Sequence, residues 1–494
     1  MRLSCMLATL LLAVGAYAQA KPNVLFIAVD DLRPELGCFG RRALTPNIDK
    51  LATSGLRFER AYCQQAVCGA SRTSLMTGLY PEATGERTYH VHDWRKRWAH
   101  VVTLNQHFSA NQYTTVGFGK VYHGRKGPDV DTPNWTRWLE VKGKQYAAPE
   151  SLKNLREKGS AHPGQKTSKR GPATEAADVT DDVYTDGQVA ALGVQQIKKL
   201  AEAGKPFFLA VGFVKPHLPF NAPTKYWEMY KRSDFAMPDN LGIPPGYPVW
   251  ASNQNAGELR AYSDIPLKGS PKEFPMDLNL RLIHGYHAAV SYTDRNVGML
   301  LDALEKAGIA DHTIVVLWGD HGWKLGDHSS WCKHTNFECD NHVPLLVRHP
   351  QMKSARGNTK ALVEYVDLYP TLCELCGFQP PPHVQGKSFV PVLKDPASKH
   401  RDFAYSSYPH RDHKSKKHVV GHSIRNQQYR YTEWWEKGTD KVTVRALTDL
   451  TADPGETTNL LPARKDLADK LSKEVKKRVL AARKTTARQK KTNK

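Results

Sequence analysis

The sequence predicts an α/β fold in which helices flank a large, mostly parallel β-sheet, followed by a smaller C-terminal α+β domain. Short unbroken apolar runs alternate with amphipathic helical patterns up to about Pro350, which is typical of βα units. Beyond that point the pattern changes to a helix and several short strand-like runs. At 494 residues the chain exceeds the roughly 250 to 300 residues at which a single core stops growing, so we expect more than one domain.

The composition is that of a packed globular protein. Hydrophobic residues make up 40% of the chain and charged residues 24%, which excludes disorder except locally. Lys and Arg outnumber Asp and Glu by 70 to 49, so the formal net charge is +21. Such a charge attracts anionic partners, and nucleic acid, anionic lipid and acidic polysaccharide all fit this criterion.

Residues 1–20 are predicted to be a signal peptide. Arg2 is followed by an apolar run over residues 6–14 and by the small-residue site Ala16-Tyr17-Ala18. The alternative is an uncleaved membrane anchor, but this run is shorter than the ~20 residues that a span needs. We expect cleavage near Ala18 or Ala20 and export to the periplasm or the medium. Seven cysteines then remain, an odd number that leaves at least one thiol unpaired.

Each predicted strand of the main domain ends in a polar cluster. The predicted strands and their clusters are 23–29 with Asp30 and Asp31, 207–213 with Lys215-Pro216-His217, and 313–318 with Gly319-Asp320-His321. Helices are predicted over 45–55 and 281–307. Because parallel sheets bind ligands beyond the carboxyl ends of their strands, we expect these polar residues to meet there. The long segments 124–180 and 220–277 are interpreted as loops that shape a substrate cleft.

The predicted domain boundaries follow these changes of pattern. Residues 21–355 form the main α/β domain, and residues 356–463 form the C-terminal domain, with a helix over 366–375 and strands within 404–451. Residues 464–494 form a basic helical tail with thirteen Lys and Arg against three Asp and Glu. A solvated helix and a docking site for a polyanion are both compatible with this tail.

The most specific segment for chemistry is Cys68-Gly69-Ala70-Ser71-Arg72. A thiol at the start of a helix, with Arg four residues later, is expected to favour a thiolate and to bind an oxyanion. On this argument alone, a buried structural cysteine fits equally well.

This segment resembles the signature of the type I sulfatases, Cys-x-Pro/Ala-x-Arg followed by a Leu-x-Thr-Gly-like run. Cys68, Ala70, Arg72 and Thr77-Gly78 match it. Further matching stretches occur in the order that this family uses: Asp30-Asp31, Gly119-Lys120-Val121-Tyr122-His123, Lys215-Pro216-His217, Asp320-His321-Gly322-Trp323 and Lys333. The resemblance covers residues 22 to 460.

Within the family, four stretches are most similar to the iduronate-2-sulfatase group: 31–38, 64–68, 207–220 and 320–344. The chain departs from that group at Ala70, where the group has proline, and at Ser329, Ser330 and Cys332.

The resemblance implies an alkaline-phosphatase-like sulfatase fold and the hydrolysis of sulfate esters. It implies that a maturation enzyme oxidises Cys68 to formylglycine, and that an oxygen of the matured residue joins Asp30, Asp31, Asp320 and His321 around one Ca²⁺ ion. The carboxylates agree with this, since Ca²⁺ prefers hard oxygen ligands. A lone Asp at a strand end is more often a cap or turn residue, but an adjacent pair together with Asp320-His321 favours a metal site.

The resemblance also implies a role for each remaining site residue. Arg72 and Lys120 stabilise the formylglycine, and His123 takes the proton that drives its release of sulfate. His217 and Lys333 bind the sulfate and assist the leaving alcohol. A zinc site at His321, His328, Cys332 and His334 is the alternative, but those spacings match no structural zinc pattern.

The sequence therefore predicts an exported, calcium-dependent sulfatase that acts on a sulfated oligo- or polysaccharide. We expect no nucleic-acid partner and no stable insertion into a membrane. Two alternatives stay open: a phosphoesterase or phosphonate hydrolase of the same superfamily, and a non-catalytic binder of sulfated glycans.

Overall fold

The computed structural model describes residues 21–85, 94–124, 127–153, 155–157, 169–350, 352, 355–412 and 415–492. The predicted signal peptide, residues 1–20, lies outside the described residues.

The strands, in chain order, are β1 (Asn23–Val29), β2 (Leu56–Tyr62), β3 (Thr114–Gly119), β4 (Arg137–Leu139), β5 (Arg156–Glu157), β6 (Lys169–Arg170), β7 (Thr174–Ala177), β8 (Phe207–Phe213), β9 (Phe220–Pro223), β10 (Thr313–Gly319), β11 (Lys324–Leu325), β12 (Trp331–Cys332), β13 (His342–Arg348), β14 (Gly357–Thr359), β15 (Val363–Glu364), β16 (Ala404–Arg411), β17 (His418–Arg425), β18 (Tyr429–Glu436) and β19 (Val442–Asp449).

The helices are α1 (Pro46–Ser54), α2 (Cys68–Thr77), α3 (Pro81–Thr84), α4 (Trp94–Arg97), α5 (Leu104–Ala110), α6 (Pro149–Lys153), α7 (Thr185–Ala203), α8 (Thr224–Trp227), α9 (Met276–Lys306), α10 (Glu338–Asn341), α11 (Leu368–Leu375), α12 (Val390–Lys394) and α13 (Lys465–Thr492).

The large sheet has nine strands. Its order is β14-β2-β13-β10-β1-β8-β3-β4, and β15 also pairs with β2. β1 pairs in parallel with both β10 and β8, and β8 pairs in parallel with β3. Within the described part of the chain, β13 alone runs against the other strands of this sheet, since it is antiparallel to both β10 and β2. The prediction of a large, mostly parallel sheet is confirmed.

Both faces of the large sheet are buried, which explains the unbroken apolar run of β1. Its alternate residues Leu25, Ile27 and Val29 face a core that also contains residues of α1, α7 and α9. Val24, Phe26 and Ala28 face a second core, with residues of α2, α5 and α11. A strand with helices on both faces has no solvent side, so every position of β1 after Asn23 is apolar.

A second, four-stranded antiparallel sheet has the order β16-β17-β18-β19. Helix α13 packs on it through a stripe at helical spacing, which places Ala468, Leu471, Val475 and Val479 in one core with Tyr431 and other sheet residues. The predicted C-terminal α+β architecture is therefore present, and the start of the basic tail packs against this sheet.

The change from one sheet to the other comes later in the chain than predicted. β14 and β15 follow the predicted boundary at residue 356 and pair with β2 in the large sheet, and α11 packs in its second core. Two- and three-residue strands carry too little periodicity to show which sheet they join. The second sheet begins at Ala404.

Candidate active site

Four neighbouring strands of the large sheet end at one edge, and each leads into polar residues. The strands are β10, β1, β8 and β3, which are adjacent and parallel. Asp320 follows β10, Asp30 follows β1, His217 lies just beyond β8, and Lys120 follows β3. Residues that are far apart in the sequence therefore meet at the carboxyl edge of the sheet, as the strand-end pattern predicts.

The aspartates are held by backbone hydrogen bonds between neighbouring strand ends. The Asp30 N–H donates to the Phe213 carbonyl at 3.2 Å, and the Asp320 N–H donates to the Val29 carbonyl at 3.1 Å. The Asp31 N–H donates to Asp320 Oδ1 at 3.0 Å. Asp31 has a φ of 59°, a left-handed conformation that Asp tolerates better than most residues. This turn directs the side chains of two consecutive aspartates into one site.

A close approach of backbones positions Lys120. Gly119 has a φ of 71°, and a Cβ there would lie 2.2 Å from the Gly212 carbonyl oxygen, so only glycine fits. The Lys120 N–H donates to that same carbonyl at 2.8 Å. The Lys120 Nζ then lies 3.2 Å from Asp30 Oδ2.

Cys68 is the first residue of α2, a helix that is buried along its whole length. Its Sγ lies 3.2 Å from His321 Nε2. Burial, together with the charges of Asp30 and Asp320, raises the pKa of the Cys68 thiol well above its usual value. The expectation that this position favours a thiolate is therefore wrong: the helix start is surrounded by carboxylates, and the nearby arginine is committed to them.

Arg72 lies one turn further along α2 and joins two strand ends. Its Nε donates to Asp320 Oδ2 at 2.9 Å, and its Nη2 donates to Asp30 Oδ1 at 3.1 Å. Its Nη1 donates to the backbone carbonyls of Lys120 and Val121, the latter at 3.1 Å. Burial alone would raise the pKa of Asp30, but the positive charges of Lys120 and Arg72 hold it well below its usual value. Arg72 thus keeps a buried carboxylate ionised.

Asp31 pairs with Lys333, which follows β12 on a different part of the chain. The Lys333 Nζ donates to the two carboxylate oxygens of Asp31 at 2.9 and 3.2 Å. Burial raises the pKa of Asp31 to about 8, despite the opposing charges of Lys333 and His321. Without a further positive charge, the cluster therefore does not keep all of its carboxylates ionised at neutral pH.

Two overlapping groups of side chains could hold a metal ion. The first consists of Asp30, Cys68, Asp320 and His321, and the second of Asp31, Cys68 and His217. Within each group the ligand atoms lie within 4.8 Å of one another. Oxygens bound to one Ca²⁺ at about 2.3 to 2.6 Å lie up to about 5 Å apart, so this spacing fits a single ion.

The donor chemistry fits a hard cation best once position 68 carries oxygen. Three carboxylates surround the site, and His321 Nδ1 faces the Gly322 carbonyl at 3.0 Å, which leaves Nε2 directed at the group. A divalent cation would also supply the positive charge that Asp31 lacks. His328, Cys332 and His334 belong to neither group among the described residues, so the zinc alternative has no geometric support.

His123 lies just beyond Lys120 on the segment that follows β3. Burial, and then the positive charge of Lys120, lower the pKa of His123 well below its usual value. A neutral imidazole is a proton acceptor.

Glu258 is a charged residue of this site that no pattern in the sequence indicates. Its Oε1 lies 2.9 Å from His217 Nε2, and its two carboxylate oxygens lie 3.2 and 3.0 Å from Lys333 Nζ. His217 is also 3.9 Å from Asp31 Oδ2. Burial alone would raise the pKa of Glu258, but Lys333 and His217 hold it well below its usual value. Glu258 is thus an ionised member of the cluster, contributed by a loop.

The structure brings the predicted site residues into one cluster at the carboxyl edge of the large sheet. Contacts of 4 Å or less connect Asp30, Asp31, Cys68, Arg72, Lys120, His217, Asp320, His321 and Lys333, and His123 lies within the electrostatic range of Lys120 and Asp30.

Solved structures of two enzymes share this fold. A 2-O GAG sulfatase superimposes with a TM-score of 0.71 at 21% sequence identity, covering 94% of this chain and 92% of that one. The phosphonate monoester hydrolase of Agrobacterium radiobacter superimposes with a TM-score of 0.69 at 23% identity, covering 94% and 96%. The fold is alkaline-phosphatase-like.

Family models and a curated relative assign the chain within that fold. The model described as Sulfatase matches residues 22–378, and the model described as N-sulphoglucosamine sulphohydrolase, C-terminal, matches residues 326–485. The chain belongs to the sulfatase family, whose members are sulfuric ester hydrolases. It is 32% identical to human iduronate 2-sulfatase over 497 residues, covering 87% of this chain and 89% of that protein. The resemblance seen in the sequence is confirmed.

Proposed function

We propose that this sulfatase is exported and hydrolyses sulfate esters of a sulfated saccharide, with a formylglycine formed from Cys68 and one Ca²⁺ ion. The observation that carries the proposal is the position of Cys68. Its Sγ lies among the ligand atoms of Asp30, Asp320 and His321, all within 4.8 Å of one another, at the buried start of a helix. A cysteine with only a structural role would not have to lie among potential metal ligands.

The cation is held by carboxylates and one imidazole. Asp30, Asp31, Asp320 and His321 are the proposed protein ligands, completed by an oxygen at position 68. A bound Ca²⁺ would polarise the sulfate oxygens and favour loss of a proton from a neighbouring hydroxyl. Arg72 and Lys120 hold Asp30 ionised and ready to bind.

Formylglycine would supply, in its hydrated form, two hydroxyls on one carbon, which suit it to accept sulfate from an ester and to release it by elimination. The side chains around position 68 are placed to assist. His123, with its lowered pKa, accepts the proton whose loss drives the release. Lys333 and His217 bind the sulfate oxygens, and a proton from this pair goes to the alcohol oxygen as the bond from sulfur to that oxygen breaks.

Three observations support an anionic saccharide as the substrate. The formal net charge is +21. A cavity of about 430 Å³ adjoins Lys120 and is also lined by Lys142, Lys144 and Leu139. The name of the human relative suggests iduronate 2-sulfate as the first compound to test, and sulfated galactans are the second class.

We base the proposal of export on residues 1–20 and the proposal of maturation on the chemistry of position 68. The charged start, apolar run and small-residue site favour cleavage near Ala18 or Ala20. No helix in the part of the chain that the structure describes has the length and apolar character to cross a membrane. The proposed partner during export or synthesis is an enzyme that generates formylglycine. Sequencing the N-terminus of protein recovered outside the cytoplasm tests the cleavage.

The experiment that tests the reaction compares ester classes. We expect p-nitrophenyl sulfate to be hydrolysed with a higher kcat/KM than p-nitrophenyl phosphate or a phosphonate monoester of the same phenol, by protein produced with a formylglycine-generating enzyme. A preference for phosphorus would favour the phosphonate hydrolase alternative, which the shared fold supports. Retention of sulfated glycans with no turnover of any ester would favour a non-catalytic binder.

A further inference from the structure

The carboxylate of Glu258 contacts both groups that are proposed to handle the leaving alcohol. It lies 2.9 Å from His217 Nε2 and within 3.2 Å of Lys333 Nζ. Its side chain is 19% exposed, so it lies at the solvent-facing side of the buried cluster. In contrast, Asp31 approaches His217 Nε2 only to 3.9 Å. Asp31 and Glu258 both contact His217 and Lys333, but only Glu258, among the described residues, lies within hydrogen-bonding distance of both.

The chain segment that carries Glu258 also holds the backbone beneath Lys333. The Asn253 Nδ2 donates to the carbonyl of Lys333 at 2.6 Å and to that of Trp331 at 3.3 Å. The neighbours of Lys333, Cys332 and His334, have φ values of 70° and 85°, a conformation that is unfavourable for residues other than glycine. The segment that contains Asn253 and Glu258 therefore holds both the backbone and the side chain of Lys333.

The contacts of His217 show what Glu258 does for the imidazole. His217 Nδ1 lies 2.7 Å from the Leu218 carbonyl, and Nε2 faces Glu258. With both ring nitrogens engaged, the plane of the ring is fixed, and Nε2 is directed to the side of the cluster where Lys333 Nζ lies. The Leu218 carbonyl and the Glu258 carboxylate both only accept hydrogen bonds, so each of them holds the ring through the nitrogen that faces it.

We propose that Glu258 is a positioning residue for sulfate-ester cleavage, which orients His217 and Lys333 toward the leaving oxygen. This inference rests on the proposed function. In that step a hydroxyl oxygen at position 68 would lose its proton and bond to sulfur while the bond from sulfur to the alcohol oxygen breaks. The electron pair of the broken bond goes to the alcohol oxygen, and His217 or Lys333 delivers the proton that neutralises it; the donor regains its proton from water. Glu258 itself transfers nothing.

This role makes the effect of Glu258 depend on the leaving group. A p-nitrophenolate leaves readily without a proton, whereas phenolate is more basic and needs one. We expect Glu258→Gln to lower kcat for phenyl sulfate by about 10- to 100-fold, which does not exceed the ~10²- to 10⁴-fold that a positioned acid itself contributes, and kcat for p-nitrophenyl sulfate by less than about 3-fold. A mere loss of folded enzyme would lower both by the same factor.

The test measures kcat and KM for both esters with the mature, cation-loaded enzyme. Glu228→Gln is the matched control, since Glu228 is an exposed glutamate directly after α8 and its replacement should leave both rates unchanged. Glu258→Asp keeps the charge with a shorter reach, and we expect it to recover part of the phenyl sulfate rate. It also gives a second reading if Glu258→Gln folds poorly.

Equal losses on the two esters, or no loss on either, would overturn the positioning role while leaving the proposed function intact. If the unaltered enzyme, with formylglycine present, hydrolyses neither ester, the proposed function fails and this inference fails with it. The two failures are therefore distinguishable.

Discussion

The guanidinium of Arg72 lies against the carboxylate of Asp30, with Nη2 and Oδ1 3.1 Å apart and neither side chain exposed to solvent. This contact joins the helix that begins with Cys68 to the strand end that supplies the first aspartate pair. The same guanidinium reaches Asp320 on the neighbouring strand end. Arg72 therefore fixes the position of the proposed nucleophile relative to two proposed metal ligands.

Replacing Arg72 should destabilise the protein strongly. Arg72→Gln leaves two buried carboxylates without their shared cation, and breaking a buried pair in this way costs about 3–5 kcal/mol. The shift of the urea unfolding transition of the large sheet measures this loss of stability. The control is Arg232→Gln, because Arg232 pairs with Asp277 at 3.0 Å on the surface, where such pairs contribute about 0–1 kcal/mol. Similar shifts for the two variants would show that the buried pairing contributes little.

A bound cation should stabilise the protein through Asp320. Adding Ca²⁺ to chelator-treated protein should raise the Tm, since a ligand at about 100 times its Kd stabilises the folded state by about 2.7 kcal/mol. In Asp320→Asn this rise should disappear, because the variant loses a charged oxygen from the proposed ligand set. Asp277→Asn, on the surface, should keep the full rise. A rise that persists in Asp320→Asn would place the stabilising ion elsewhere.

Glu456 should make stability depend on pH. It shares Arg430 with Glu338, at 3.2 Å from Nε, and burial raises its pKa from 4.5 to about 7. The folded state then binds more protons than the unfolded state between pH 4.5 and about 7, so the free energy of unfolding falls as pH rises through this window. In Glu456→Gln this fall should be smaller by about 3 kcal/mol.

Unfolding in urea at a series of pH values tests this, with Glu228→Gln as the exposed control. Parallel pH profiles for the unaltered protein and Glu456→Gln would mean that Glu456 is already ionised in the folded state.

Much of the site could be predicted because its residues stand where strands end. Asp30, Asp31, Asp320 and His321 directly follow apolar runs, and the carboxyl ends of neighbouring parallel strands meet. The thiolate expectation for Cys68 was wrong because a sequence does not show how deeply a helix start is buried, or that Arg72 turns toward two aspartates.

Glu258 had no comparable signal. It lies in an irregular stretch between α8 and α9, where acidic residues are usually solvated. Its partners give no signal either, because the sequence does not show that Lys333 and His217 are enclosed in a cluster where their charges need a carboxylate. Similarly, the direction of β13 depends on its pairing with β10 and β2, which an apolar run alone does not encode.

Cys68 is the proposed precursor of the nucleophile, and replacing it tests that assignment. Cys68→Ala removes the precursor of the nucleophile, so turnover of p-nitrophenyl sulfate should fall to background. The substitution deletes only the buried thiol group, so the Tm should change little. Activity that survives in Cys68→Ala would refute the assignment of the nucleophile.

The most direct measurement is mass spectrometry of the peptide that spans residue 68, from protein produced with a formylglycine-generating enzyme. Oxidation of cysteine to formylglycine exchanges sulfur and two hydrogens for one oxygen. We predict a peptide lighter by this exchange, in active protein, with the change located at Cys68. An unmodified thiol at Cys68 in protein that nonetheless hydrolyses sulfate esters would contradict the account.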